Sequence, residues 1–241
     1  MSYANIFITG ASRGIGLELV KQYAAKASTK LLFATCRNES KAPELKQVAA
    51  NSGGRVRIME LEVRDYDKYE KIVAEVTKEV GSDGLNLLIN NAGIHIKADF
   101  HDAKRDDMME VYEVNVVAPL FLTRALTPLL QASAKAGHKT FVANISSKVG
   151  SIADNTSGQM YAYRTSKAAF NQVSKSMSIQ LGADNIIVAP IHPGWVQTDM
   201  GGPNAPIDTK TSVEHMIRTF ENIKPEQAGL LLNYDGTVIP Y

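Results

Sequence analysis

A tyrosine and a lysine stand about one helical turn apart in Tyr163-Arg164-Thr165-Ser166-Lys167. On a helix, residues i and i+4 share one face, so the phenol and the ammonium would meet. A free tyrosine has a pKa of about 10, which makes it a sluggish proton donor at neutral pH. Moving it near neutrality takes about three units, roughly 4 kcal/mol. A cation about 4 Å away at an effective dielectric of about 20 supplies that much. The pair therefore suits general acid–base chemistry, although Y-x-x-x-K by itself occurs by chance in many helices. Tyr161, two residues earlier, has no lysine at +4 and reads as packing or as a substrate wall. Upstream, Asn144-Ile145-Ser146-Ser147 closes an apolar run. Strand side chains alternate, so only one of the two serines faces a given site. A hydroxyl there would hold a carbonyl oxygen, or else cap the following loop.

A second constellation lies near the N-terminus. The apolar run Asn5–Thr9 leads into Gly10-Ala11-Ser12-Arg13-Gly14-Ile15-Gly16, after which a helical pattern begins. Glycines at 10, 14 and 16 permit positive φ and a close approach of backbone to a ligand. The helix N-terminus then offers free N–H groups and a positive dipole end, which suits a pyrophosphate. The spacing is G-x3-G-x-G, a longer turn than the G-x-G-x-x-G of dinucleotide folds but with the same mechanism. Two other readings stay open. Gly10–Gly14 also matches G-x-S-x-G, the nucleophile elbow of α/β-hydrolases, with Asp154 and His192 following in that fold's order; and the turn could be a tight βα connection with no ligand. Where an NAD site wants an acidic residue on the ribose, about 20 residues on, the chain carries Arg37. With Arg13 it offers two guanidinium groups to a 2′-phosphate, which favours NADP(H). Cys36, beside Arg37, reads as a buried, inert thiol.

The elements that must position these groups alternate along the chain. Strands are predicted at Asn5–Thr9, Lys30–Cys36, Arg55–Glu62, Leu85–Asn90, Thr140–Ser146, Ile186–His192 and Leu230–Asn233. Helices are predicted near Gly14–Lys26, Glu44–Asn51, Tyr66–Val80, Lys104–Val114, Ala118–Lys135, Gln159–Gly182 and Ser212–Asn222. Such alternation implies an α/β fold: a single Rossmann-type doubly wound domain over 1–241, with a seven-stranded parallel sheet flanked by helices. The longest irregular piece, Gly201–Thr211, reads as a surface loop or lid. Composition agrees with one globular domain: 241 residues, 44% hydrophobic, 26 basic against 25 acidic side chains. The net charge of +1 leaves no electrostatic footprint for nucleic acid or an anionic membrane. One cysteine excludes an internal disulfide. No stretch reaches 18 apolar residues, and no secretory pattern opens the chain, so a cytoplasmic protein is expected. The five histidines lack metal-ligand spacing, and no metal site is expected.

Thr9–Gly16, Asn90-Asn91-Ala92-Gly93, Asn115, Ser147, Tyr163/Lys167 and Pro193-Gly194 together resemble the ordered motif set of the short-chain dehydrogenase/reductase family, and the set spans nearly the whole chain. Within that family Met160–Lys167, His192–Gly202 and Asn233–Thr237 are similar to the Sniffer-type carbonyl reductases and the related C-factor group. The resemblance implies NADPH-dependent reduction of a small-molecule carbonyl, or alternatively a signalling relative of the same fold. It implies that Tyr163 donates a proton to the substrate oxygen, that Ser147 hydrogen-bonds that oxygen, and that Lys167 binds the nicotinamide ribose and lowers the Tyr163 pKa. Asn115 would hold a water in a proton relay. Gly10, Ser12, Arg13, Gly14, Ile15 and Gly16 would form the phosphate turn. Asn91, Ala92 and Gly93 would line the cofactor near the adenine ribose, with Glu62 and Val63 near adenine. Pro193, Gly194 and Val196 would fix the nicotinamide, and Thr198 would reach the phosphates or the carboxamide. Family members often pair two long helices, here 118–135 and 159–182, into a homodimer. Two departures stand out: Glu62-Val63 replaces a common Asp-Val, and Ser147 and Tyr163 are 16 apart against a common 13. The extra residues must loop out within 154–159.

Overall fold

The computed structural model describes residues 2–241. Seven strands among them, β1 (Asn5–Ile8), β2 (Leu31–Cys36), β3 (Val56–Glu60), β4 (Leu87–Asn90), β5 (Thr140–Ile145), β6 (Ile186–His192) and β7 (Leu232–Asn233), form one sheet of order β3-β2-β1-β4-β5-β6-β7. Every strand pair is parallel. The helices are α1 (Gly14–Ala25), α2 (Pro43–Ala50), α3 (Tyr69–Val80), α4 (Arg105–Tyr112), α5 (Ala118–Lys135), α6 (Tyr161–Gly182) and α7 (Thr209–Asn222). This is the doubly wound architecture expected from the alternation of strand and helix patterns.

The two-residue period of the strands explains the layers. Ile6 and Ile8 point to one face with Leu32, Ala34, Leu87 and Ile89, where α1 and α7 cover them. Phe7 points to the other with Phe33, Leu88, Val142 and Val188, under α3, α5 and α6. Both faces of a parallel sheet are buried in this way, which is why its strands read as continuous apolar runs. The helices present matching stripes. Val213, Met216, Ile217 and Phe220 recur at helical spacing on α7 and are all buried. Phe170 and Met177 of α6 are buried too, with Val173 and Leu181 packed beside them, so that stripe belongs to the core.

Several boundaries move for identifiable reasons. α6 begins at Tyr161 rather than 159, because Gln159 and Met160 hold left-handed backbone. Asp208 caps α7, its carboxylate accepting from the Thr211 N–H at 2.7 Å, so that helix starts at Thr209 inside the expected lid. Gly201–Thr211 is therefore shorter as a loop than expected, and its far end is tied down by the bridge Val196–Ile207 and by Gln197 N–H to Ile207 O at 2.9 Å. The segment 91–104 is the longer irregular stretch. Its apolar Ile94, Ile96 and Phe100 hide it from a search based on glycine and proline. α4 passes through a π-helical turn (Glu113–Val117) into α5. Within the run Arg105–Lys135 an 18-residue window reaches the length and mean hydropathy (1.2) of a membrane span. Half of its apolar window is buried inside the domain, as in a core helix, with Leu122, Leu126 and Leu130 fully enclosed.

Candidate active site

The strand order reverses between β1 and β4, and open parallel sheets take ligands at the carboxyl ends of the strands flanking such a point. There the chain leaves β1 through the glycine turn and leaves β4 through Asn91-Ala92-Gly93. The two turns are locked together. The Thr9 hydroxyl accepts from the N–H groups of Asn91 and Ala92, both at 2.9 Å, and the Asn91 amide donates to Thr9 O at 2.9 Å and Gly10 O at 3.2 Å. Gly10 and Gly14 have φ of 66° and 55°, outside the comfortable range of other residues. Gly16 is required by space rather than by angle: a Cβ there would collide with Gly10 O and lie 2.6 Å from the Asn91 amide nitrogen. Gly16→Ala should therefore lower stability by about 1–3 kcal/mol, and a urea titration measures it. An unchanged midpoint would mean that the turn gives way freely.

Above these turns lies a cleft of about 480 Å³, within the usual range of cofactor pockets. The glycine turn lines it through Gly10, Ser12, Arg13, Gly14, Ile15 and Gly16. Arg37, Glu62 and Val63, at the ends of β2 and β3, form its outer end; Asn91, Ala92 and Gly93 its flank. Tyr163 and Lys167 stand at the inner end, with Pro193 and Thr198 opposite. Arg13 and Asp199 form an exposed ion pair at 2.7 Å that joins the glycine turn to the segment after Thr198. The first turn of α1 has no side-chain cap, leaving its N–H groups to an anion. A cleft with uncapped helix donors in the middle and Arg13 and Arg37 in its lining fits a phosphorylated dinucleotide.

At the inner end the two serines separate as strand alternation requires. The Ser146 hydroxyl is spent on Asn171 Oδ1 at 2.6 Å, while Ser147 hydrogen-bonds the Tyr163 phenol. Lys167 is buried on the next turn of α6. Its ammonium donates to Ile145 O at 2.8 Å and lies 5.6 Å from the Tyr163 ring centre. Burial dominates the titration of both groups. It pushes the Tyr163 phenol up to about 12, against the Ser147 hydrogen bond, and pulls Lys167 down to about 8. The sequence arithmetic assumed an ammonium close to the phenol oxygen. Here it sits over the ring face, and desolvation outweighs the pairing. The phenol accordingly keeps its proton at neutral pH, which is the form an acid must have.

The supporting residues are as specific as the lining ones. Asn115 lies in the π-helical turn, a feature frequent at functional sites. Its side chain accepts from Ile94 N–H at 2.9 Å and donates to Ile94 O at 3.0 Å and Ser166 Oγ at 3.1 Å. It thus ties α6 to the turn after β4 from behind the cleft. A second polar chain, Asn90 to Asn144 (2.8 Å) to Ser174 (2.8 Å), joins β4, β5 and α6. Gly194 and Val196 do not line the cleft. Gly194 packs where a Cβ would strike Ile207, and the Val196 side chain is buried. Their role is to shape the turn that presents Pro193 and Thr198. His95 stacks on the Tyr163 ring at 4.7 Å between centres, and burial, with Lys97 nearby, lowers its pKa. The sequence reading missed Arg64 and Asp199 in the lining. Arg64 and Asp199 adjoin Val63 and Thr198, so adjacency was the available signal. Cys36 also reaches the lining, where burial keeps its thiol protonated. The hydrolase reading fails on distance: β1, which leads into the turn holding Ser12, and β6, which ends at His192, are three strand spacings apart in the sheet, roughly 14 Å.

The family model for short chain dehydrogenases matches residues 4–207. The chain belongs to that family and is an oxidoreductase of it. Its fold is similar to the carbonyl reductase Sniffer of D. melanogaster, with a TM-score of 0.97 and 39% identity over 100% of both chains. It is also similar to an NADPH-bound carbonyl reductase from chicken fatty liver, with a TM-score of 0.95, 36% identity and 100% of both chains covered. The C-signal of Myxococcus xanthus is 40% identical over 65% of this chain and 93% of its own length.

Proposed function

We propose that the chain reduces the carbonyl group of a small molecule, an aldehyde, ketone or quinone, to an alcohol with NADPH. The observation that carries this reading is the meeting of a half-buried, protonated Tyr163 and Lys167 at the inner end of a cleft whose lining also carries Arg13 and Arg37, with Ser147 set against the phenol just behind that lining. NADPH, when bound, supplies the hydride that reduces the carbonyl carbon. Similarity to an NADPH-bound carbonyl reductase supports the choice of cofactor. The uncapped start of α1 and the glycine turn take the pyrophosphate, and Arg13 and Arg37 the 2′-phosphate. Glu62 and Val63 border adenine, Asn91–Gly93 border the ribose, and Pro193 and Thr198 border the nicotinamide end. Ser147 donates to the substrate oxygen and orients it. Tyr163 then gives that oxygen its proton, and the nearby Lys167 ammonium stabilises the phenolate left behind. Asn115 keeps Ile94 and Ser166, and with them the first turns of α6, in place.

The test is consumption of NADPH, followed by its absorbance, against a panel of small carbonyls and quinones. Turnover is expected; failure both to bind NADPH and to turn over would overturn the reading. Arg37→Asp should move the NADPH-to-NADH affinity ratio toward NADH by about 10- to 100-fold, since a charge-assisted contact becomes a repulsion. Titration of both nucleotides by fluorescence checks it, and an unchanged ratio would remove Arg37 from the phosphate site. A second reading, a nucleotide-binding signalling protein without essential catalysis, is favoured by the similarity to C-signal. It requires that biological activity survive the loss of Tyr163.

A further inference from the structure

Arg164 follows the proposed proton donor directly, and its guanidinium ties three acceptors from two segments. Nε donates to Gly158 O at 2.8 Å, and the two terminal nitrogens donate to Val149 O at 3.2 Å and Ser157 Oγ at 2.8 Å. Val149 is two residues beyond Ser147, and its N–H donates to the Ser147 hydroxyl at 3.3 Å. Ser157 and Gly158 lie in the turn that enters α6. That turn is strained: Gly158, Gln159 and Met160 have φ of 63°, 60° and 50° in succession. Non-glycine residues stay in the left-handed region only where their surroundings hold them there. Met160 opens α6 without a side-chain cap, and an uncapped first turn leaves its N–H groups unsatisfied. Tyr163 is the third residue of that turn.

We infer that Arg164 is a positioning residue for the proposed reaction. Its planar fork fastens the entry of α6 to the segment after Ser147, and so sets the separation of the Tyr163 phenol from the Ser147 hydroxyl. The lengthened connection between them explains the need. The extra residues leave Ser147 and Tyr163 joined by an exposed loop, a covalent route too long to hold them in register. A misplacement of about 1 Å at a reacting group costs about 100-fold in rate. Lysine, a point charge on a flexible stem, cannot reach three acceptors in fixed directions. The inference rests on the reading of Tyr163 as the acid.

The experiment compares Arg164→Met, Arg164→Lys and Ser157→Ala with wild type and with Tyr163→Phe, recording kcat, KM, the NADPH Kd and thermal midpoint. Arg164→Met should lower kcat about 10- to 100-fold, with the NADPH Kd within about twofold of wild type. Added methylguanidinium should restore part of that rate without moving the midpoint, which a merely structural loss would not show. Arg164→Lys should remain close to Arg164→Met. Ser157→Ala, which removes one bond of three and leaves the other two holding the fork, should lose about two- to fivefold. A kcat within twofold of wild type in Arg164→Met overturns the inference, as does a rate loss matched by lost NADPH binding or one untouched by methylguanidinium. Should Arg164→Met fail to fold, an unaltered kcat in Ser157→Ala overturns it instead. Full turnover in Tyr163→Phe would bring down the reading of Tyr163 itself. An inactive Tyr163→Phe beside a fully active Arg164→Met would bring down only the positioning role.

Discussion

Tyr163→Phe should lower kcat for carbonyl reduction by about 10²- to 10⁴-fold, the usual worth of a positioned general acid, while NADPH binds within about twofold of wild type. The substitution is a narrow one. The ring that packs 4.7 Å from His95 and beneath the Lys167 ammonium is retained, and only the hydroxyl goes. Phenylalanine also removes a polar group that burial already disfavours in its ionised form, so the thermal midpoint should move little. Paired measurements of turnover and of nucleotide affinity separate the outcomes. A variant that keeps more than about a tenth of the rate excludes Tyr163 as the acid, because even the low end of acid catalysis would then be missing. A variant that is inactive yet sustains the protein's biological role would favour the signalling reading over the enzymatic one.

The architecture was legible because each strand is short, apolar and bounded, and because buried parallel strands show no polar alternation to confuse with helix. The site was legible where chemistry leaves a type-and-spacing signature: three glycines at a strand–helix junction, a phenol and an ammonium four residues apart. Burial was not legible. Nothing in Tyr-x-x-x-Lys says that the lysine will point at a ring face and a carbonyl rather than at a phenol oxygen, so the pairing energy was overestimated and desolvation ignored. Side-chain to backbone ties were equally hidden. Asn115 on Ile94 and Arg164 on Val149 and Gly158 each join residues brought together by the fold and have no local pattern. Gly194 and Val196 show the converse: adjacency to Pro193 and Thr198 does not tell whether a residue lines the cleft or shapes the turn behind it.

Lys167→Met should separate catalysis from stability, and pH gives the sign. In the fold Lys167 titrates at about 8, against about 10.4 for an unfolded chain. Its folded pKa is depressed, so the stability it allows is present above the unfolded value and is lost as pH falls through the folded one. Below pH 8 both states carry the proton, and the native state bears a penalty on the order of 3 kcal/mol. Between about pH 8 and 10 the native state sheds the proton first, and cofactor-free protein should grow more stable toward urea as pH rises. The window closes near 10 because Tyr163, raised to about 12, begins to act in the opposite direction. A raised acid stabilises below its unfolded value, and that contribution is lost as pH climbs through the folded one. Methionine matches the length of the stem without the charge, so Lys167→Met should remove the larger part of the rise between about pH 8 and 10, while Lys139, which burial also lowers, keeps the remainder. Its net gain at neutral pH is smaller than the penalty removed, since Ile145 O loses its donor at a cost of about 1–3 kcal/mol. Activity should run the other way. The ammonium that stabilises a Tyr163 phenolate vanishes above pH 8, so wild-type kcat/KM for NADPH, which reports the free enzyme, should fall across the same interval in which stability climbs. A rate flat from about pH 7 to 10, or a stability slope undiminished in Lys167→Met, would show that the titrating group is not Lys167.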